Sequence, residues 1–420
     1  MDRRDFLKLA SYAGLSLGFP AVLPRSASAQ APYDGPLWVM VHAGGGWDPT
    51  SLCDPKGMLF ADDPEAMNRS YLAADIGTAG NLRYAPVGGN QLFFEKYASR
   101  LLVLNGVDTE TNSHDSGTRN VWSGKLAEGH PCFAALVAAA VGPEKPMSFL
   151  TSGGYDFTSG LVAPTRTGNM GALTRIAFPD LMDPANAESR FHTAATAERI
   201  AAAQRARLEA LMAKQQLPLV RNEMNMLFNA RAGENELRML TEFLPATLDT
   251  SNNPLKRQAQ VAIAGYRAGI TVAANLTLGG FDTHGNHDAA HIPRLQLLLE
   301  GVDFLMTEAE AAGVGDRVVV VVGSDFGRTP GYNEGNGKDH WSVTSLMLMG
   351  PGIRGNRVIG STDERHRPLA VNPETLQTDP DGVRIKPAHV HRALRRLAGI
   401  EGADGSYGFP LPGEDLPLFS

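Results

Sequence analysis

The segment Arg317–Ile353, RVVVVVGSDFGRTPGYNEGNGKDHWSVTSLMLMGPGI, decides the fold. Its five consecutive valines, Val318 to Val322, form a β-branched run without a polar face. Such a run between turn residues predicts a strand buried on both sides, as in a parallel sheet covered by helices. Asp325 follows just past the carboxyl end of that strand, where open α/β sheets collect binding and catalytic groups. Asp339 and His340 come next, ahead of a second apolar strand over Ser345 to Met349 that stops at Gly350-Pro351-Gly352. A carboxylate and an imidazole therefore flank one strand-loop-strand unit, an arrangement suited to a metal ion.

The same pattern recurs outward along the chain. Leu37 to Val41 predicts a buried strand that runs into His42-Ala43-Gly44-Gly45-Gly46-Trp47-Asp48. Three glycines there let the backbone come close to a ligand or a neighbouring element. Asp48 then either faces a ligand or caps the next element. Leu101 to Leu104 leads into a polar stretch, Thr111 to Gly117, that contains His114, and a helix is expected from Thr118 to Lys125. A polar cluster before a helix start favours an anion through the unpaired N–H groups and the helix dipole. Cys132 to Val141 reads as a small-residue helix and Phe149 to Asp156 as a strand and loop. Ile270 to Leu278 is a further strand, followed by Asp282, His284 and His287. Apolar residues at helical spacing from Ile292 to Met306 then lead back to the valine strand, which implies a parallel, right-handed crossover. A last helix is expected over Pro387 to Leu397. The predicted class is α/β, a mostly parallel sheet flanked by helices, with a helical insertion at about residues 193–269.

The chain has 420 residues, 43% hydrophobic and 20% charged, ordinary values for a globular protein with a sizeable core. Residues 1–29 stand apart as a twin-arginine signal. They contain Arg3-Arg4-Asp5-Phe6-Leu7-Lys8, a short apolar stretch from Leu9 to Leu23 broken by Gly14 and Pro20, and the small residues Ala27-Ser28-Ala29. This pattern predicts export to the periplasm as a folded protein, with residues 30–420 as a single domain. About 15 apolar residues are too few for a stable membrane span. The formal charge is −7. The signal contributes +2 of it, which leaves −9 on the remainder, and an acidic chain without a long basic run argues against nucleic acid as a partner. Cys53 and Cys132 are the only cysteines, and their spacing leaves a disulfide and two free thiols equally open.

Asp and His residues at the ends of separate strands are the ligand types of zinc and related divalent ions. The stretches RRDFLK, GGWD, the SH…W.SG region, GGFDTH, GSDFGRTP and KDHWS…MGPGI together resemble the alkaline phosphatase and sulfatase superfamily. They resemble more closely an exported family related to it, domain of unknown function 1501. The resemblance implies an alkaline-phosphatase-like domain and a divalent metal, zinc with calcium or manganese as alternatives, acting on a small anionic ester. It also implies metal ligands at Asp48, Asp282 with His284 or His287, Asp325 and His340. His114 falls in the nucleophile register, ten residues before the helix-ending Gly124, and would serve as nucleophile or general base. Arg328 would steady the substrate anion. Phe326 departs from the phosphatase pattern, because it stands where those enzymes have the His of their late Asp-His pair.

Two functions are compatible with these residues: a metal-dependent hydrolase of phosphate or sulfate esters, or a non-catalytic binding protein with the same fold. A serine hydrolase built on Ser324 is disfavoured, since Gly323-Ser324-Asp325-Phe326-Gly327 lacks the G-x-S-x-G spacing.

Overall fold

A computed structural model describes residues 33–143, 145–168, 180–183, 186, 188–217, 220, 224, 234–402 and 408–419. The expected twin-arginine signal and part of the expected helical insertion lie outside them.

The valine run forms a strand, as its composition requires, and seven other strands join it in one sheet. In chain order they are β1 (Leu37–Gly44), β2 (Leu102–Asp108), β3 (Phe149–Thr151), β4 (Pro164–Arg166), β5 (Ala273–Gly279), β6 (Val318–Ser324), β7 (Val343–Met349) and β8 (Arg357–Ile359). Their order across the sheet is β8-β2-β7-β6-β1-β5-β3-β4. Seven run parallel, and only β7 is reversed, antiparallel to both β2 and β6. Strands β5 and β6 are parallel as expected but are not neighbours, because β1 pairs with both.

Alternate side chains of the central strands enter two apolar layers, the period-2 consequence of the pleat. Leu37, Val39, Val41, Val318, Val320 and Val322 share one layer; Trp38, Met40, Val319 and Val321 share the other. Each fully buried valine contributes roughly 1.5–3 kcal/mol before chain entropy is subtracted. The first layer is closed by α1 (Asn90–Tyr97), α6 (Pro254–Arg267) and α7 (His287–Ala311). The second is closed by α2 (His114–Ser123), α3 (Phe133–Val141) and α8 (Pro387–Leu397). Two further helices, α4 (Ala194–Lys214) and α5 (Glu234–Phe243), lie between β4 and α6 in sequence. Helix α4 has no buried residue, whereas α6 buries a face that includes Leu255, Ala259, Ile263 and Tyr266.

The reversal of β7 matters for position. Its amino end lies at the same edge of the sheet as the carboxyl ends of β1, β5 and β6, so the chain reaches that edge through Asp339 and His340 on its way into the strand. Helix α2 starts at His114, four residues earlier than the sequence suggested, and brings that imidazole to the same edge.

Candidate metal and catalytic site

Asp325, one residue beyond β6, is almost fully buried and is the centre of the first group. Its Oδ1 lies 2.5 Å from Nε2 of His42, its Oδ2 lies 2.7 Å from Nδ1 of His114, and the Gly45 N–H donates to Oδ2 at 3.1 Å. Burial would raise the Asp325 pKa, but the bonds and charges of His42 and His114 outweigh it and hold the carboxyl below its usual range. A carboxylate that accepts three N–H groups orients its partners rather than binding an ion alone. His42 was not singled out from the sequence. The available signal was that it is the one polar side chain in LWVMVHAG, beside Gly323 in the β6 register.

Asp282 follows β5 and forms the second group. Its Oδ1 lies 3.0 Å from His284 Nε2 and 3.1 Å from His340 Nε2, and these two nitrogens are 3.0 Å apart. Nδ1 of His284 meets the Asp339 carboxylate at 2.7 Å, and Nδ1 of His340 meets the Asn112 carbonyl oxygen at 2.8 Å. Both outer partners only accept hydrogen bonds. A neutral imidazole therefore carries its proton on Nδ1 in each case, which turns the bare Nε2 lone pair inward. Two such lone pairs and a carboxylate oxygen then converge with no proton between them. That arrangement calls for a cation, and an outer carboxylate or carbonyl on each imidazole is the usual support of a metal-binding histidine. For tetrahedral coordination at zinc distances, ligand atoms sit about 3.3–3.6 Å apart, close to the spacing here.

His114 closes the other side. Its Nε2 makes no hydrogen bond and lies 3.5 Å from Asp282 Oδ2. Ligand atoms of His114, Asp282 and His340 all fall within 4.8 Å of one another. Asp282 and His340 thus belong to two overlapping sets, completed by His284 on one side and His114 on the other. Burial raises the Asp282 pKa, yet the Arg328 guanidinium that donates to its Oδ1 offsets this and helps hold the carboxyl below its usual range. Phe326 is fully buried, with its ring centroid 4.9 Å from His114 and 4.6 Å from His340, so it supplies packing where a ligand was absent from the sequence pattern.

Three sequence expectations meet a different environment. Asp48 and His287 are fully buried in a separate cluster, where Asp48 Oδ2 pairs with the Lys338 ammonium at 2.6 Å and with His287 Nε2 at 3.1 Å. Asp48 also caps the turn Pro49–Ser51 by accepting from Thr50 N–H, the alternative role open to it from sequence. Arg328 does not face an open anion site. Its guanidinium is buried and donates to the carbonyls of Gly45, Gly46 and Lys338 and, at 2.7 Å, to Asp282 Oδ1. Ser324 is likewise tied to backbone, donating to Ala43 and accepting from Trp47 N–H.

The glycine-rich loop after β1 is what allows this density. Gly45 has φ +120° and Gly46 φ +82°; a Cβ on Gly45 would stand 2.5 Å from Asp282 N, and one on Gly46 2.6 Å from the Phe326 ring. Only glycine accepts both the dihedrals and the contact.

The family model described as protein of unknown function DUF1501 matches residues 37–378. The chain belongs to that family. The matched span of this DUF1501 member contains every residue of both groups. Comparison with curated proteins gives no match. Among solved structures, the chain is similar to the lipoteichoic acid synthase of Listeria monocytogenes, with TM-score 0.38 and 8% identity, covering 88% of this chain and 74% of that one. It is similar to a sulfatase from Pseudoalteromonas sp., with TM-score 0.38 and 10% identity over 92% and 72% of the two chains. The alkaline phosphatase of the Antarctic bacterium TAB5 gives TM-score 0.34 and 8% identity over 77% and 94%.

Proposed function

We propose that the protein is an exported, metal-dependent hydrolase of phosphate or sulfate esters, with a divalent ion, zinc by ligand type, held by Asp282, His284 and His340. The observation that carries this reading is the convergence of two inward-facing imidazole lone pairs and a carboxylate oxygen within about 3 Å. Three protein ligands leave one position open, the pattern of catalytic rather than structural zinc. Bound there, the ion would polarise an ester oxygen and lower the pKa of a water.

The chain's own residues supply the rest. His114 stays off the ion in this reading: Asp325 holds its Nδ1, and its free Nε2 faces the Asp282 side of the site as nucleophile or base. Asp325 also stabilises the charge that His114 gains on taking up a proton. His42 fixes Asp325 from the other oxygen. Arg328 fixes Asp282. Among the described residues no helix is long and apolar enough to cross a membrane, and delivery to the periplasm rests on Arg3 and Arg4.

The test combines metal analysis with turnover. The metal-stripped protein should take up one equivalent of zinc. With metal it should hydrolyse an aryl phosphate, phosphodiester or aryl sulfate. His114→Ala and His114→Gln should keep the metal and lose about 10²–10⁴ in rate. Metal uptake without turnover of any ester class would favour the binding-protein reading, which the buried Phe326 in the ligand-like position supports.

A further inference from the structure

Asp48, Lys338 and His287 are each 0% exposed, deep under the loops that carry the proposed metal ligands. The Asp48 carboxylate has no coordination left to offer. Its Oδ1 accepts from Thr50 N–H at 2.9 Å and Thr50 Oγ1 at 2.8 Å; its Oδ2 meets Lys338 Nζ at 2.6 Å, His287 Nε2 at 3.1 Å and Ser51 Oγ at 3.4 Å. The hydrogen-bond directions form a closed chain. The Asp48 N–H donates to His291 Nε2 at 2.9 Å, so the His291 proton is on Nδ1 and goes to Thr283 Oγ1 at 3.0 Å. The Thr283 hydroxyl can then donate to His287 Nδ1 at 2.7 Å, leaving the His287 Nε2–H to donate to Asp48. Neither imidazole of this chain has a lone pair free for an ion.

The position is filled by an ammonium instead. Lys338 Nζ also bonds Thr50 Oγ1 at 3.2 Å and stands 5.0 Å above the Tyr332 ring. Its backbone is fixed at both ends, since Lys338 N–H donates to the Thr283 carbonyl at 3.1 Å and its own carbonyl accepts from Arg328 Nη1 at 2.9 Å. The next two residues are Asp339, which orients His284, and His340, which is a ligand in the proposed set.

We infer that the Lys338 ammonium is a built-in cation: it occupies the place beside Asp48 that a divalent ion would need if Asp48 were the ligand the family resemblance implies, and it anchors the segment that presents Asp339 and His340. Its consequence for ion number rests on the metal reading above, while the buried ion pair stands independently of it. No divalent ion is therefore held at Asp48, one is expected at Asp282, His284 and His340, and Lys338 acts on that ion only through position.

Zinc titration by calorimetry and thermal melting of the full chain test this, using wild type, Asp48→Asn, Lys338→Met and the double variant. One equivalent of zinc is expected in wild type and in Asp48→Asn. Lys338→Met strands a buried carboxylate, so its Tm should fall by roughly 5–10 °C. Its zinc affinity should fall about 10–100-fold, as when an outer support of a ligand is lost. The double variant should recover most of the Tm, because neither partner is left as a lone buried charge. If Lys338→Met does not fold, recovery of a folded double variant is the supporting result, and a double variant as unfolded as the single overturns the idea. A second zinc equivalent in wild type that disappears in Asp48→Asn overturns it, as do Tm losses that simply add. No zinc uptake by wild type would sink the metal site alone, and the Tm coupling would still decide the role of Lys338.

Discussion

Asp282 takes contacts from Arg328, His284 and His340 on one oxygen and faces His114 with the other, so a single substitution there removes a member shared by both candidate ligand sets. Asp282→Ala should abolish metal stabilisation. In wild type, a divalent ion bound at the proposed site is expected to add about 2.7 kcal/mol of stability by linkage when free metal is at 100 times its dissociation constant. Melting curves with and without chelator measure the difference, and an Asp282→Ala protein that chelator still destabilises would refute this assignment. At this scale the sequence was partly legible. Asp282, His284, His340, Asp325 and His114 could be named because each follows a strand, or precedes a strand or a helix, that topology sends to one edge. The different placement of Asp48 and His287 was not legible, since it depends on which way two side chains turn and on Lys338 arriving from 290 positions away. Asp339 was noted only as a neighbour of His340; its task of orienting His284 appears once the loop has folded back.

The strands were readable because both faces of a parallel sheet demand apolar, β-branched residues, and β1, β2, β5, β6 and β7 each appear as a short apolar run. The start of α2 was not. His114-Asp115-Ser116-Gly117 looks like a loop, yet it forms the first helical turn, and Gly117 is there for contact: a Cβ would stand 2.6 Å from the Asp325 carbonyl oxygen. Gly→Ala within a helix normally gains about 1 kcal/mol. Gly117→Ala should instead lower Tm and weaken metal binding, because backbone on the Asp325 loop must move; a rise in Tm would refute the close-packing argument. Helix α8 docks on α2 through His391, whose Nε2–H donates to the Val121 carbonyl at 2.8 Å. Burial, reinforced by the positive Arg395 nearby, pushes the His391 pKa down from 6.5 to about 4. The unfolded chain takes up this proton near pH 6.5 and the folded chain refuses it until about pH 4. This contribution is therefore complete above pH 6.5 and is lost as pH falls toward 4, on the order of 3 kcal/mol in all. His391→Gln keeps a donor for Val121 and cannot titrate. Denaturant unfolding between pH 7 and 4 should show a shallower loss of stability in that variant, and equal slopes would remove His391 as a cause.

Across the described residues, the sheet separates two apolar layers. Cys53 is packed in one and Cys132 in the other, both as free thiols, with burial pushing each up to about 12. The disulfide left open by their spacing is absent: the sheet lies between them. Two thiols, each sealed beneath a different face, make the chain its own gauge of opening. An aromatic disulfide reagent should find no reactive sulfur in the native protein and two after denaturation. Single replacements Cys53→Ala and Cys132→Ala would then show which face loosens first on warming. Equal exposure rates at every temperature would mean that both layers come apart as one unit.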